Sequence, residues 1–340
     1  SNEGGLKYML LGAFSSAIFL YGISMVYGAT GATHYAAIRE AVSGDTSGVD
    51  TALLLGLALM IAGLGFKVSA VPFHMWTPDA YEGAPLPITA LISAISKAAG
   101  FALFLKLFVQ AFLPLVDDWK YFIAALSVAT MALGNLVAIQ QHNIKRLLAY
   151  SSIAQVGYLL MGIAALSQTS DGAASALVLH LTGYVATNLA AFVCVIIWYN
   201  WTGEEEIKGF AGAAERAPFL ALCLSIALFS LAGMPLFAGF ATKFILFQAA
   251  AREDLLWLAA IAVFMSFVSL YYYLVVIREM YLGRPAVAVR FPTPWLEYGA
   301  LTLLVIAVFV VGLYPRPVFD AVDSSTASIF AAVSQATVAR

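Results

Sequence analysis

The sequence predicts an all-α polytopic membrane protein of about nine transmembrane helices, two of them broken at prolines; three observations carry this. Hydrophobic residues make up 62% of the chain and charged residues only 11%, against about 25% charged in an ordinary soluble domain. Apolar runs of about 20 residues recur, each long enough to cross a hydrocarbon layer of about 30 Å. Pro72 and Pro235 fall inside such runs, where protein or enclosed water must satisfy the backbone that proline leaves unpaired.

Between charged and Pro/Gly-rich breaks, spans are expected at 6–28, 51–75, 86–113, 119–140, 146–167, 173–199, 217–250, 255–278 and 296–314. Ahead of the first, Ser1-Asn2-Glu3-Gly4-Gly5-Leu6-Lys7 has neither an initiator Met nor a secretory leader, so the chain reads as a fragment beginning mid-protein. The connector from Ala29 to Asp50 carries Gly31, Gly44 and Gly48 as breakers. The second span holds Lys67 ahead of Pro72, the third Lys97 and Lys106, and the seventh Pro235 ahead of Lys243. After Tyr314-Pro315-Arg316-Pro317, a mildly amphipathic tail is expected at the membrane interface.

Alternate connectors differ in basic residues, which sets the expected orientation. One set holds Lys145, Arg146, Lys208, Arg216, Arg278, Arg284 and Arg290, and is expected to face the cytoplasm; the other holds Arg39, Lys120, Arg252 and Arg316. Trp76, Trp119, Trp198, Trp201, Trp257 and Trp295 lie near span ends and read as interface anchors. The formal net charge is −2 with scattered basic residues, which argues against a nucleic-acid partner. Cys194 and Cys223 lie in apolar runs with no metal-ligand spacing and read as packing residues. No metal site is expected.

Acidic residues keep to connectors, tails and span edges, yet Lys67, Lys97, Lys106 and Lys243 lie inside apolar runs. A charged lysine at a helix centre costs about 2.5–3.5 kcal/mol on insertion scales, so four oppose insertion by on the order of 10 kcal/mol unless they pair, snorkel or lose the proton. Lys106, near the Leu113-Pro114 turn, suits snorkelling or local pairing. Lys67, Lys97 and Lys243 lie further from a boundary and point to functional burial. Burial disfavours the charged form of a lysine, which lets it exchange a proton near neutral pH; arginine keeps its proton throughout. A broken helix beside each of Lys67 and Lys243 implies a hydrated pocket, and paired broken helices are a pointer to a transport site between inverted repeats.

His74, just after Pro72, and His180, mid-span beside Thr182 and Tyr184, are candidate proton relays, and Lys106 is a possible third. His34 and His142 lie in connectors. Lys145-Arg146 reads as a positive-inside anchor, Asp79 and Glu82 as solvated carboxylates in a Pro-rich turn, Glu204-Glu205-Glu206 as an exposed charge run, and Tyr271-Tyr272-Tyr273 as packing. No phosphate-cradling glycine loop, cysteine cluster or nucleophile elbow occurs, so no flavin, iron–sulfur centre or nucleotide is expected in this chain.

Several segments together resemble the antiporter-like membrane subunits of respiratory complex I, the N type most closely. They are Ser1-Asn2-Glu3 with Leu6-Lys7-Tyr8, the stretch from Gly65-Phe66-Lys67 through Pro72-Phe73-His74-Met75-Trp76 to Pro85, Ser96-Lys97, Asn143 to Ser152, and Pro235 to Lys243. Lys at 243 departs from the M type, and the short tail lacks the lateral helix of the L type. The resemblance implies an antiporter-like inverted-repeat fold, with 1–115 the C-terminal part of a first repeat, 119–280 a second repeat, and 281–340 a final span and amphipathic tail. It implies that Lys7, Lys67, Lys97 and Lys243 form a charged, water-linked axis for protons, with Lys7 otherwise a span-edge residue. The family also pairs the Lys7 position with a glutamate on an earlier span that this sequence does not contain.

The expected role is therefore proton translocation coupled to quinone reduction elsewhere. Flavin, iron–sulfur clusters and quinone are expected in partner subunits, and neighbouring antiporter-like subunits, the lipid bilayer, protons and internal water are the expected partners. The expected location is a bacterial-type plasma (inner) membrane or another energy-transducing membrane. Rival readings are a cation/proton antiporter subunit, a photosynthetic ferredoxin-driven relative of complex I, and a structural membrane scaffold.

Overall fold

In a computed structural model, residues 2–43, 51–284, 291 and 295–338 are described. Gly44, Gly48 and Arg290, invoked above as breakers and as a topology charge, lie outside them. Among the described residues the chain is helical, and the sole extended pairing is an isolated bridge between Asn143 and Glu206.

Helix α1 spans Asn2–Thr30 and a short α2 covers Tyr35–Ser43. The second expected span divides into α3 (Thr51–Val68) and α4 (Trp76–Gly83). The third and fourth form one apolar stretch from 86 to 138, containing α5 (Leu86–Leu91), α6 (Lys97–Leu107) and α7 (Val116–Ala138). Between α6 and α7 the backbone leaves the α-helix around Pro114, through a π turn at Phe108–Phe112 and a 3₁₀ turn at Leu113–Leu115, and a further π turn at Ile92–Ser96 separates α5 from α6. Helices α8 (Ile144–Ala164) and α9 (Gly172–Thr202) follow, with a short α10 at Ala213–Arg216. The seventh expected span is two half-helices, α11 (Pro218–Ala232) and α12 (Ala238–Arg252). Then come α13 (Leu256–Leu282), α14 (Trp295–Leu313) and α15 (Arg316–Val338). The tail is thus a helix of 23 residues, tied to α9 where the Ser175 hydroxyl donates to Asp323 Oδ1 at 2.8 Å.

The core is organised around α8. Every residue in it except Arg146 and Tyr150 is buried, because α4, α7, α9, α12 and α13 all pack against it. A helix that is apolar all round has no solvent face to present, and this one sits in the middle of the bundle. Close backbone approach does the packing between α7 and α8, as expected where lipid supplies no hydrophobic drive between helices. A Cβ on Gly134 would fall 2.5 Å from the Ala154 nitrogen.

Both proline breaks form as the sequence predicts. Helix α3 ends where Ser69 takes a left-handed backbone (φ 70°), and the Trp76 indole N–H donates to the Phe66 carbonyl at 3.0 Å. The Val71 N–H crosses to Thr130 Oγ1 of α7, also at 3.0 Å. At the second break Gly233 (φ 88°) turns the end of α11, and the Gly239 N–H of α12 donates to Ser230 Oγ of α11 at 3.0 Å. A Cβ on Gly239 would run into the Ser230 carbonyl. Only glycine lets the two half-helices come so near.

The expectation that six tryptophans anchor the interface needs correction. Trp76, Trp119 and Trp198 are buried in the bundle. Two of them serve irregular backbone, since Trp119 donates to the Phe112 carbonyl beside the Pro114 turn, as Trp76 does at Phe66. Trp257 and Trp295 are exposed, as interface anchors would be.

Candidate functional site

Lys97 opens α6, directly after the π turn that contains Ser93. Its residue is 0% exposed, and its ammonium donates to Ser152 Oγ of α8 at 2.5 Å and lies 5.8 Å from the Tyr81 ring centroid. The Ser152 hydroxyl in turn meets the Tyr184 hydroxyl of α9 at 2.6 Å, and Tyr184 donates to the Ser93 carbonyl at 2.9 Å. Tyr184 has one hydrogen and gives it to Ser93, so Ser152 must donate to Tyr184. Its lone pairs are then free to accept from Lys97. Asn188, one turn beyond Tyr184, donates to Ser93 Oγ at 2.7 Å.

Lys243 sits in α12, 3% exposed. Its ammonium donates to the Leu231 carbonyl at 2.9 Å and lies 3.4 Å from Ser266 Oγ of α13. The Tyr158 ring of α8 covers it, with the centroid 4.4 Å away. Leu231 lies in the last turn of α11, whose carbonyls have no partner within the helix, and the proline beyond the Gly233 turn cannot supply one. The Gln155 amide of α8 also donates to this carbonyl, at 3.0 Å. Ser152, Gln155 and Tyr158 follow at three-residue steps along α8, so one helix carries the partner of Lys97 and two neighbours of Lys243.

His180 meets the hydroxyl of Thr242, next to Lys243, through Nδ1 at 2.9 Å, while its buried Nε2 has no partner. Around the first break, Ser69 Oγ, His74 Nδ1, Thr77 Oγ1 and Tyr81 Oη are likewise buried without partners among the described residues. Buried polar atoms of native proteins are otherwise bonded to protein or to ordered water. The Tyr271–Tyr273 run does more than pack, since the Tyr272 hydroxyl donates to Asn135 Oδ1 at 3.0 Å and Tyr273 bonds to Ser151.

Lys67 contradicts the expectation of burial. It is exposed and has no polar partner among the described residues. The cause is its place on the last turn of α3, where a Cβ on Gly100 of α6 would lie 3.5 Å from its Cγ. The stem thus lies against α6 one turn from Lys97. Lys106 is also exposed, 6.0 Å from the Tyr35 ring centroid.

Lys7 lies in a charge cluster joining α1, α4 and α8. Its ammonium is 2.6 Å from both Glu3 Oε1 and Asp79 Oδ2, and Arg146 reaches Asp79 Oδ1 at 2.9 Å and Glu82 Oε2 at 2.7 Å. Burial pushes the Asp79 carboxyl up, but the bonds from Lys7 and Arg146 outweigh it and hold the group below its ordinary value. Asp79 and Glu82 are thus paired rather than merely solvated. Glu205 is likewise no free surface charge, since it meets the buried Lys145 at 2.8 Å. Beside it Asn143 caps α8 and the Ile144 N–H donates to the Glu205 carbonyl. Cys194 and Cys223 are buried free thiols.

Reading single charges missed Ser152, Gln155, Tyr184 and Asn188. Their signal was present: His180, Tyr184, Thr187 and Asn188 recur at four-, three- and one-residue steps, the spacing of one helical face, inside an apolar span.

The profile of the family described as "NADH:quinone oxidoreductase/Mrp antiporter, TM" matches residues 1–269. The chain is 47% identical over 333 residues to an NADH-quinone oxidoreductase subunit N from Moorella thermoacetica, covering 97% of this chain and 68% of the relative. It is 42% identical to an NAD(P)H-quinone oxidoreductase subunit 2 from Nostoc punctiforme, covering 96% of this chain and 62% of that protein. Among solved structures, a chain of respiratory complex I from Thermus thermophilus superposes with a TM-score of 0.79 at 33% identity, covering 94% of this chain and 69% of the other.

Proposed function

The chain belongs to the NADH:quinone oxidoreductase/Mrp antiporter family, and we propose that it is a proton-translocating membrane subunit of an NADH:quinone oxidoreductase. The observation that carries this is the pair of buried lysines, Lys97 and Lys243, neither of which has a carboxylate partner among the described residues. A buried ammonium bonded only to hydroxyls and a carbonyl is poorly compensated when charged. Hydroxyls and a carbonyl can hold such a nitrogen with or without its extra proton, which is what a carrier needs.

In this reading a proton enters past the break that holds His74, Thr77 and Tyr81, exchanges with Lys67 and Lys97, and reaches Lys243 through Ser152, Gln155 and enclosed water. Each protonation disfavours the next by like-charge repulsion. His180 and Thr242 flank the Lys243 end, and Lys7 with its carboxylates forms the far end. Residues 1–115 are the C-terminal part of a first repeat and 119–280 a second, each contributing one broken helix. The driving reaction, quinone reduction, belongs to partner subunits that hold the flavin, iron–sulfur clusters and quinone; this chain performs proton transfer and no redox chemistry. Neighbouring antiporter-like subunits flank it in the membrane.

The test is Lys67→Ala and Lys243→Ala in the intact complex, reconstituted in proteoliposomes, with proton uptake and quinone reduction measured together. Reduced proton uptake is expected in both. Undiminished uptake with undiminished quinone reduction would refute the reading, and transport that depends on sodium would point to a cation/proton antiporter instead.

A further inference from the structure

Lys7 has two carboxylates within 2.6 Å, and they are not equivalent. Glu3 is one turn back on the same helix with its side chain 78% exposed, whereas Asp79 is 25% exposed and belongs to α4. Both Asp79 oxygens are engaged, Oδ2 by Lys7 and Oδ1 by Arg146. Arg146 is itself held by Glu82 and by the Gln141 side chain. Asp79 is therefore fixed from the α8 side before Lys7 reaches it.

The backbone enforces the meeting. Gly4 lies three residues before Lys7 on the same face of α1, and a Cβ there would collide with the Asp79 carbonyl. The absence of that Cβ brings α1 against α4 at the one place where the ammonium spans the gap. Helix α4 is also the segment that resumes after the break following Lys67.

We propose that Asp79 is a positioning residue for Lys7: clamped by Arg146, it fixes the Lys7 ammonium against the helix that resumes after the first break. The charge on Lys7 is thereby tied to the geometry of that break. Glu3, exposed and one turn back on α1, pairs with the same ammonium from the outside. This rests on the proton-translocation reading of the same lysines, with Asp79 acting through Lys7 and carrying no proton itself.

The experiment uses the intact complex in proteoliposomes and compares Asp79→Asn and Asp79→Glu, each alone and each combined with Lys7→Gln, with Lys97→Ala measured alongside. Asp79→Asn is expected to cut proton uptake by more than half at unchanged complex content, and Asp79→Glu, which keeps the charge, to retain more than half. In the Lys7→Gln background neither substitution lowers uptake further. Wild-type uptake in Asp79→Asn, or an equal proportional loss with and without Lys7, would overturn the proposal. If Asp79→Asn does not assemble, Asp79→Glu carries the same comparison: a measurable loss with Lys7 present and none without it supports the proposal, and equal losses overturn it. A normal Lys97→Ala complex defeats the translocation reading itself, whereas a defective Lys97→Ala beside a normal Asp79→Asn defeats only the role of Asp79.

Discussion

The Lys243 ammonium takes the carbonyl that Pro235 leaves vacant: it donates to Leu231 at 2.9 Å, four residues before a proline that has no N–H to offer. Pro235→Ala gives residue 235 an N–H, so the segment after Gly233 can wind back onto the end of α11 and compete for that carbonyl. The expected outcome is a complex that assembles normally and pumps less than wild type but more than Lys243→Ala. Proton uptake by the three complexes in proteoliposomes checks the order.

Lys67 is exposed and unpartnered among the described residues, so removing its charge breaks no bond within this chain. Lys67→Met should therefore change thermal stability by less than about 0.5 kcal/mol, as for surface positions, yet abolish most proton uptake. Melting of the purified complex and uptake by vesicles separate the two effects; a large drop in melting temperature would show that Lys67 is a structural residue.

The Lys145–Glu205 pair should matter for assembly and not for proton transfer. Lys145 is buried and Glu205 mostly so, hence losing one partner strands the other; water at Glu205 softens the cost to about 1–3 kcal/mol. Lys145→Met and Glu205→Leu should each lower the amount of assembled complex, and the double variant should recover much of it. The ratio of protons moved to quinone reduced, measured on what assembles, should stay at the wild-type value.

Gly134→Ala probes the α7–α8 seam. The added methyl would press on the Ala154 backbone, which has no flexible end to swing aside, and overpacking of this kind costs about 1–3 kcal/mol. A lower melting temperature is expected, and wild-type melting would mean that the two helices can slide apart.

Much of the fold was legible because lipid imposes few solutions. Run length marked the spans, and the two prolines marked the breaks beside Lys67 and Lys243. The turn at Leu113-Pro114 was legible too, whereas the π turn before it, and the Arg39 and Trp119 side chains that donate to its carbonyls, were not. Lys97 and Lys243 were readable as charges in apolar runs. The exposure of Lys67 was not, because burial at a helix end depends on which face a neighbour covers. Asp79, Glu82 and Glu205 read as solvated for a related reason: sequence shows that a charge is near a span end, whereas its partner, Arg146 for Asp79 or Lys145 for Glu205, comes from a helix 60 or more residues away. Trp76 and Trp198 show the same limit, since an aromatic near a span end can face the interface or the bundle.

The central claim is that protons pass through the buried Lys97, and Lys97→Met tests it most directly because the replacement fills the site without a titratable group. In proteoliposomes of the intact complex, the account predicts fewer protons moved per quinone reduced than in wild type, with the complex fully assembled. A wild-type ratio at a wild-type rate would contradict it.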